Sequence, residues 1–416
     1  MSFVIAAPAS GSGKTTFTLG LLRALKRSDL PVHAAKSGPD YIDPRFHEAA
    51  CGQPCLNLDA WAMTPARIRS LSAGPLPLII EGAMGLFDGA PPNGKGATAD
   101  LARILGLPVV LVVDCGKMAG SVAPLVQGFI RHDRDVKIAG VVLNNVGSAR
   151  HETMLRRALG DVPVFGALPR TPALEQPSRH LGLVQAQERP DLDGYLESAA
   201  DLVSAHCDMP VLQSLLVPLP ARGVPSKRRP PAQTIAIARD AAFAFSYPHL
   251  LQDWQGAGAT LRFFSPLADD PAPMADLIYL PGGYPELHAG RLADNATFLA
   301  SLRECKAQIY GECGGYMVLG ETLTDKDGIV HKMAGLLPLE TSFATRKLHL
   351  GYRELVARDG PLAGTWKGHE FHYATTLRAT GSPLFEARDA EGTTLPPMGL
   401  IRNNVSGSFA HIIDQP

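Results

Sequence analysis

The sequence lacks any run of about 20 apolar residues, the length needed to span a bilayer. Its longest apolar stretches, such as Pro108 to Val113, suit buried strands. No basic segment precedes the apolar residues near the N-terminus, so a secretory leader is not expected. Excess charge is missing too. Lys and Arg total 39 against 40 Asp and Glu, a formal net charge of −1. That argues against a nucleic-acid binder driven by electrostatics. Neither nucleic acid nor membrane is expected as a partner. Cysteine is scarce. Cys51, Cys55, Cys115, Cys207, Cys305 and Cys313 are irregularly spaced, which fits free thiols in a reducing cytoplasm. Cys51 and Cys55 have no second pair at zinc-site spacing and read as buried thiols.

What is present points to an enzyme-sized α/β protein. At about 100–200 residues per domain, 416 residues suggest two or three domains, each with its own core. In the first half, short apolar runs at Phe3 to Ala7, Val32 to Lys36, Leu78 to Glu81, Val109 to Asp114 and Ile138 to Leu143 read as strands. Helical patterns such as Thr16 to Arg27 and Ser121 to Arg131 lie between them. Near-continuous apolar strands alternating with helices imply a parallel sheet covered on both faces. Residues 218–232 carry five prolines, with Arg222, Lys227, Arg228 and Arg229 among them. This stretch reads as an extended linker, with a small basic binding patch as the alternative. The expected division is therefore 1–217, a linker at 218–232, and 233–416. After the linker, Ile235 to Arg239, Leu261 to Phe264, Leu277 to Leu280 and Gln308 to Tyr310 read as strands of a second α/β pattern.

Two motifs carry chemistry. The first strand runs into Pro8-Ala9-Ser10-Gly11-Ser12-Gly13-Lys14-Thr15-Thr16 and then a helix. This is the form of a P-loop, in which backbone amides and the helix N-terminus hold phosphate oxygens. Lys14 would reach the β- and γ-phosphates and Thr15 would hold Mg²⁺. Pro8 stands where the usual pattern has Gly. Carboxylates for the metal are offered by Asp40 and Asp43 after the second strand, and by Glu81 and Asp88 at the third. Turn formation beside proline is the competing reading of Asp40 and Asp43. Glu81 is harder to explain structurally, because an unpaired carboxylate at the end of an apolar strand is costly to bury. Asp114 would stabilise a loop or position a ligand. Asn144 and Asn145 end another strand, where an amide would read adenine or cap a helix.

The second motif is Gly311-Glu312-Cys313-Gly314-Gly315, which follows a strand and precedes an apolar helical run. It has the form of a nucleophile elbow with Cys313 as nucleophile. The helix N-terminus is expected to lower the thiol pKa. Backbone amides in Leu280-Pro281-Gly282-Gly283-Tyr284-Pro285, with Gly314, would form an oxyanion hole at Gly283 and Gly314. His349, His369, His372 and His411 are the candidate bases. His369-Glu370-Phe371-His372 lacks the spacing of a zinc-protease helix.

Taken together, these segments resemble the glutamine-dependent corrin a,c-diamide synthases of cobalamin biosynthesis. The likeness runs through Ala7 to Thr16, Gly38 to Pro44, Glu81 to Gly89, Ala238 to Phe243, Leu280 to Leu287, Gly311 to Gly315 and Gly368 to Tyr373. It implies an N-terminal P-loop parallel-sheet domain similar to dethiobiotin synthetase and a C-terminal class I glutamine amidotransferase domain, both α/β. By that likeness Cys313 is the glutaminase nucleophile and His411 its base. Many class I amidotransferases carry Glu two residues past this His. Ile413 stands there, so a Cys–His pair without that third carboxylate is expected. The ATP site would comprise Gly11, Ser12, Gly13, Lys14, Thr15, Thr16 and Asn144. Thr15, Asp43 and Glu81 would hold Mg²⁺, and Asp40 and Asp88 would serve substrate activation or positioning.

The partners implied are L-glutamine and a corrin polycarboxylate, with Lys36, Arg45, Arg170 and Arg179 as candidate cations for its carboxylates. Ammonia would travel inside the protein between the sites. Asn57 to Met63 leans toward metal-free hydrogenobyrinic acid, with cobyrinic acid as the alternative. Cobyric acid synthase is the nearest rival within the class. A partition-type ATPase switch is the rival from outside it, disfavoured by Ala9 where such proteins carry a signature Lys. A homodimer is the default expectation for assembly.

Overall fold

A computed structural model describes residues 2–174, 178–179, 182–183, 185–220 and 228–416. The chain divides into two compact units, Met1–Ser226 and Lys227–Pro416. Part of the proline-rich stretch, 221–227, with Arg222, Pro225 and Lys227, lies outside the described residues.

The first unit is built on a seven-stranded sheet. Its strands are β1 (Phe3–Ala6), β2 (His33–Ser37), β3 (Cys55–Leu58), β4 (Leu78–Glu81), β5 (Val109–Asp114), β6 (Ile138–Val146) and β7 (Val164–Pro169). Their order is β3-β2-β4-β1-β5-β6-β7, and every pairing is parallel. Almost every side chain of β1, β4 and β5 is buried, as expected of strands covered on both faces. Chain order reverses around the central β1. In such sheets the crevice beyond the carboxyl ends of the strands is where ligands bind. The loop after β1 and the helix α1 (Lys14–Arg27) open there. Register matters as much as order. Lys36 of β2 and Ile5 of β1 are both cross-strand partners of Glu81 on β4.

The second unit holds a six-stranded sheet. Its order is Thr260–Phe264, Thr234–Ala238, Leu277–Leu280, Gln308–Glu312, Val405–Ser408, Leu400–Arg402. The first five strands are parallel and the last is antiparallel. The expected strands are found within a residue or two. Beyond residue 320 the unit turns β-rich. His349–Ala357 pairs antiparallel with Gly364–His372, which in turn pairs with His411–Asp414. Within the basic stretch, Arg228 reaches the buried Asp414 at 2.8 Å and Arg229 is exposed. Among the described residues, no helix is long and apolar enough to cross a membrane. All six cysteines are unpaired.

Candidate functional sites

The P-loop site is assembled from strand ends. Gly13 adopts φ 90°, and a Cβ there would lie 2.1 Å from Asn144 Nδ2. Glycine is therefore required on two counts. Asn144 Nδ2 donates to the Ser12 carbonyl (3.0 Å), so this amide nitrogen braces the loop. Ser12 Oγ donates to Ala9 O (2.9 Å). Lys14 Nζ donates to the carbonyl of Met84 (2.6 Å), a residue itself held at φ 50°. Burial, helped by Lys36, lowers the Lys14 pKa.

Behind the loop lies a network of buried charge. Glu81 Oε1 accepts from Thr15 Oγ1 (2.7 Å) and from Lys36 Nζ (2.8 Å). Its Oε2 meets His47 Nε2 at 2.7 Å. Lys36 Nζ also reaches Asp43 Oδ2 (2.5 Å). Burial alone would raise the Glu81 carboxyl, but Lys36 and His47 outweigh it and hold it well below the usual range. Asp43 goes the other way, to about 6, through burial and the neighbouring Asp40. The cluster thus carries more negative charge than Lys36 offsets. Its donors are hard oxygens, and that combination suits a hard divalent cation.

A cavity of about 890 Å³ brings together Gly11, Gly13, Lys14, Thr15 and Thr16 with Asp40, Asp43, Glu81 and Asn144. Asp40 Oδ1 accepts from the amides of Ile42 (2.8 Å) and Asp43 (3.0 Å), the turn role open to it from sequence. Asp88 Oδ2 accepts from Gly85 N (2.9 Å), which ties it to the loop after β4. Asp114 likewise brackets a loop, accepting from Gly116 N and Asn145 Nδ2.

The candidate corrin-binding cations fare differently. Lys36 is spent internally and Arg45 pairs with Glu48 (2.7 Å). The Arg179 side chain lies outside the described residues. Arg189, also paired, with Asp191 (2.9 Å), lines a second cavity of about 510 Å³. That cavity shares Thr171, Leu174 and Leu202 with the first. Arg189 lies over the Tyr195 ring at 4.1 Å.

In the second unit, Cys313 sits at φ 45°, ψ −100°, at the start of the helix Gly314–Leu319. A non-glycine residue in that region is strained, as a nucleophile elbow requires. Cys313 N donates to Ser408 O (2.8 Å), which pins the elbow to the neighbouring strand. The elbow is packed backbone to backbone. A Cβ on Gly315 would fall 1.9 Å from Leu280 O, and one on Gly314 would fall 3.1 Å from Gly283 N. The segments carrying the two expected oxyanion-hole amides therefore converge.

The expected lowering of the thiol pKa is not found. Burial pushes Cys313 up, with Glu286 adding to it, and the amide of Gly314 opposes them. A helix of six residues adds too little to reverse that balance.

His411 is buried beside this elbow. Its Nδ1 lies 3.7 Å from Glu312 Oε2, so a carboxylate does face it, from the residue before Cys313. Ile413 stands two residues past His411, as expected, and the nearby carboxylate comes from another strand end. His369 is the cross-strand partner of His411, and burial with the charge of His411 depresses its pKa to about 3. His349 and His372 stack at 4.7 Å with rings 6° from parallel. Their ligand atoms and that of Glu370 lie within 4.8 Å of one another. Glu370 is already held by Arg353 (2.7 Å) and His372 (2.9 Å), and the lone pairs of two stacked rings lie in separate planes.

A phosphate loop with buried acids in one unit and a cysteine elbow with a buried histidine in the other define a class: a nucleotide-binding domain joined to a glutamine amidotransferase domain. Residues 3–184 match the CobQ/CobB/MinD/ParA nucleotide binding domain, and 234–415 match the CobB/CobQ-like glutamine amidotransferase domain. The chain is 56% identical to a hydrogenobyrinate a,c-diamide synthase of Brucella anthropi, over 99% of this chain and 98% of the relative. It is 52% identical to the same-named protein of Rhizobium meliloti, with the same coverage. A solved glutamine amidotransferase structure aligns at a TM-score of 0.24 and 17% identity, over 33% of this chain and 70% of its own, too remote to add to these matches. The chain belongs to the hydrogenobyrinate a,c-diamide synthase family.

Proposed function

We propose that this protein uses ATP and glutamine to amidate the a and c acetate carboxylates of hydrogenobyrinic acid, a step of cobalamin biosynthesis. The observation that carries the reading is the presence, on one chain, of a P-loop whose Thr15 reaches Glu81 and of a Cys313 elbow whose neighbour Glu312 lies 3.7 Å from the buried His411. The Cys313 sulfur attacks the side-chain amide carbon of glutamine, His411 passes the proton to the leaving nitrogen, and ammonia departs. Water then cleaves the thioester to glutamate. Amides near Gly283 and Gly314 receive the oxyanion. In the first unit a corrin carboxylate attacks the γ-phosphorus of ATP, releasing ADP and forming an acyl phosphate. Ammonia displaces phosphate to leave the amide, and the sequence runs once per carboxylate.

Lys14 supports the phosphoryl charge. Thr15, Asp43 and Glu81 would hold Mg²⁺, which when bound shields the charge on the β- and γ-phosphates. Asp40 and Asp88 shape the loops around them. The second cavity, with Arg189, is the proposed seat of corrin carboxylates. Unpaired thiols support a cytoplasmic location, and the general frequency of twofold assemblies supports a homodimer.

The test is mass spectrometry of hydrogenobyrinic and cobyrinic acids, each incubated with protein, Mg-ATP and glutamine. Two hydroxyl-to-amide exchanges on hydrogenobyrinic acid are expected. Exchange confined to cobyrinic acid would move the substrate to the cobalt corrin. ATP hydrolysis without exchange on either would point to another carboxylate substrate.

A further inference from the structure

Glu312 is the residue that the elbow chemistry leaves unexplained. It is 2% exposed and ends an apolar strand, where an unsatisfied carboxylate would be costly. The structure satisfies it with three donors. Tyr279 Oη donates to Oε2 (2.8 Å), and Tyr310 Oη (3.3 Å) and Ile412 N (3.1 Å) donate to Oε1. Burial and Glu312 itself push both phenols well above their ordinary range, so they remain protonated donors. Two bonds fix Oε1, one of them to the residue after His411. Oε2 is left shared between Tyr279 and His411 Nδ1, the latter 3.7 Å away. That is longer than a hydrogen bond, as catalytic contacts often are before substrate binds.

We infer that Glu312 is the positioning carboxylate of the glutaminase: it holds His411 through Nδ1 and leaves Nε2 to serve Cys313. This rests on the proposed glutaminase reading of Cys313 and His411. The arrangement has the logic of a nucleophile, base and orienting acid, which is recognised by geometry and not by sequence position. Here the acid precedes the nucleophile, and Ile413 occupies the position two residues past the histidine. Glu312 makes His411 a better acceptor for the thiol proton, which burial of Cys313 otherwise holds back.

Other groups around the pair are fixed near neutral pH. His369, facing His411 from Gly364–His372, is held neutral. Glu370 is held ionised at about 2, against its burial, by His372 and Arg353. Cys313 itself follows on the same side, with Glu286 and Glu370 acting on it.

The experiment measures glutamine hydrolysis by the full chain with Mg-ATP and hydrogenobyrinic acid, across pH roughly 5 to 9. For Glu312→Gln, kcat should fall on the order of 10²-fold or more. Its pH–rate profile should shift to lower pH, because removing a negative charge makes both His411 and Cys313 easier to deprotonate. Synthesis from added ammonia should persist. Glu312→Asp should recover part of the rate with the wild-type profile position. A Glu312→Gln profile superimposable on wild type would overturn the inference. Should Glu312→Gln fail to fold, Glu312→Asp decides: a reduced glutamine rate with an intact ammonia rate supports the inference, and a wild-type glutamine rate overturns it. A wild-type chain that hydrolyses no glutamine, or an unimpaired His411→Ala, would instead overturn the glutaminase reading itself.

Discussion

Glu81 ends one parallel strand and Cys313 follows another, and both are buried, yet their surroundings differ in kind. Around Glu81 the protein buries charge against charge: Lys36, His47, Asp43 and the Thr15 hydroxyl share a network at 2.5–2.8 Å. Around Cys313 it packs backbone closely against its neighbours, with glycines at 283 and 315 against backbone and at 282 and 314 against the His411 and Pro285 rings, where no Cβ fits without displacing a neighbour. The first site must hold phosphate and metal, so it keeps hard oxygens and cations in tension. The second must hold one sulfur and one imidazole at a fixed angle, so close packing does most of the positioning. Removing charge should damage the first site most, and adding volume the second.

The largest effect is expected from Glu81→Gln. It should lower amidation with glutamine and with ammonia alike, by at least about 10²-fold, since one loss removes a proposed metal ligand and the partner of Lys36. Product formation by mass spectrometry with each nitrogen donor checks this. Wild-type amidation would remove Glu81 from the site.

Gly282→Ala should come next. A Cβ there would lie 2.2 Å from His411 Cε1, and His411 is enclosed, so the ring must move. Misplacement near 1 Å costs on the order of 10²-fold. Steady-state kinetics should show the glutamine-dependent rate falling while the ammonia-dependent rate holds. Equal loss of both would contradict the separation of the sites.

His369 gives the smallest expected effect, and on stability. Its folded pKa of about 3 lies below the ordinary value, so between those limits the unfolded chain binds more protons. Its contribution is therefore intact above about pH 6.5 and is lost as pH falls toward 3. His369→Gln should flatten the acid side of the curve, by about 2 kcal/mol between roughly pH 6.5 and 4.5. Urea midpoints at the two pH values measure it. An unchanged slope would mean that His369 does not carry the acid sensitivity.

The same contrast explains what the sequence revealed. Lys14 and Thr15 belong to one contiguous motif, and Glu81 ends an apolar strand, so both were legible. The partnership of Lys36 with Glu81 was not, because it arises from the register of β2 against β4. His47 was invisible for the same reason: it reaches Glu81 from the helix Asp43–Cys51. Glu312 stood in plain view inside the elbow motif, yet the expected place for a carboxylate was two residues past His411. The strand Gly364–His372 escaped notice because Lys367, His369, Glu370 and His372 give it a polar texture. Its burial comes from neighbouring strands rather than from its own hydrophobicity.

The account turns on two chemistries that can be taken apart on one chain. The most direct measurement is the nitrogen source used by Cys313→Ala, read by mass spectrometry of hydrogenobyrinic acid after incubation with Mg-ATP and either glutamine or ammonia. The account predicts no amide from glutamine and two amides from ammonia. Amide formation from glutamine, or loss of both activities in a folded variant, would contradict it.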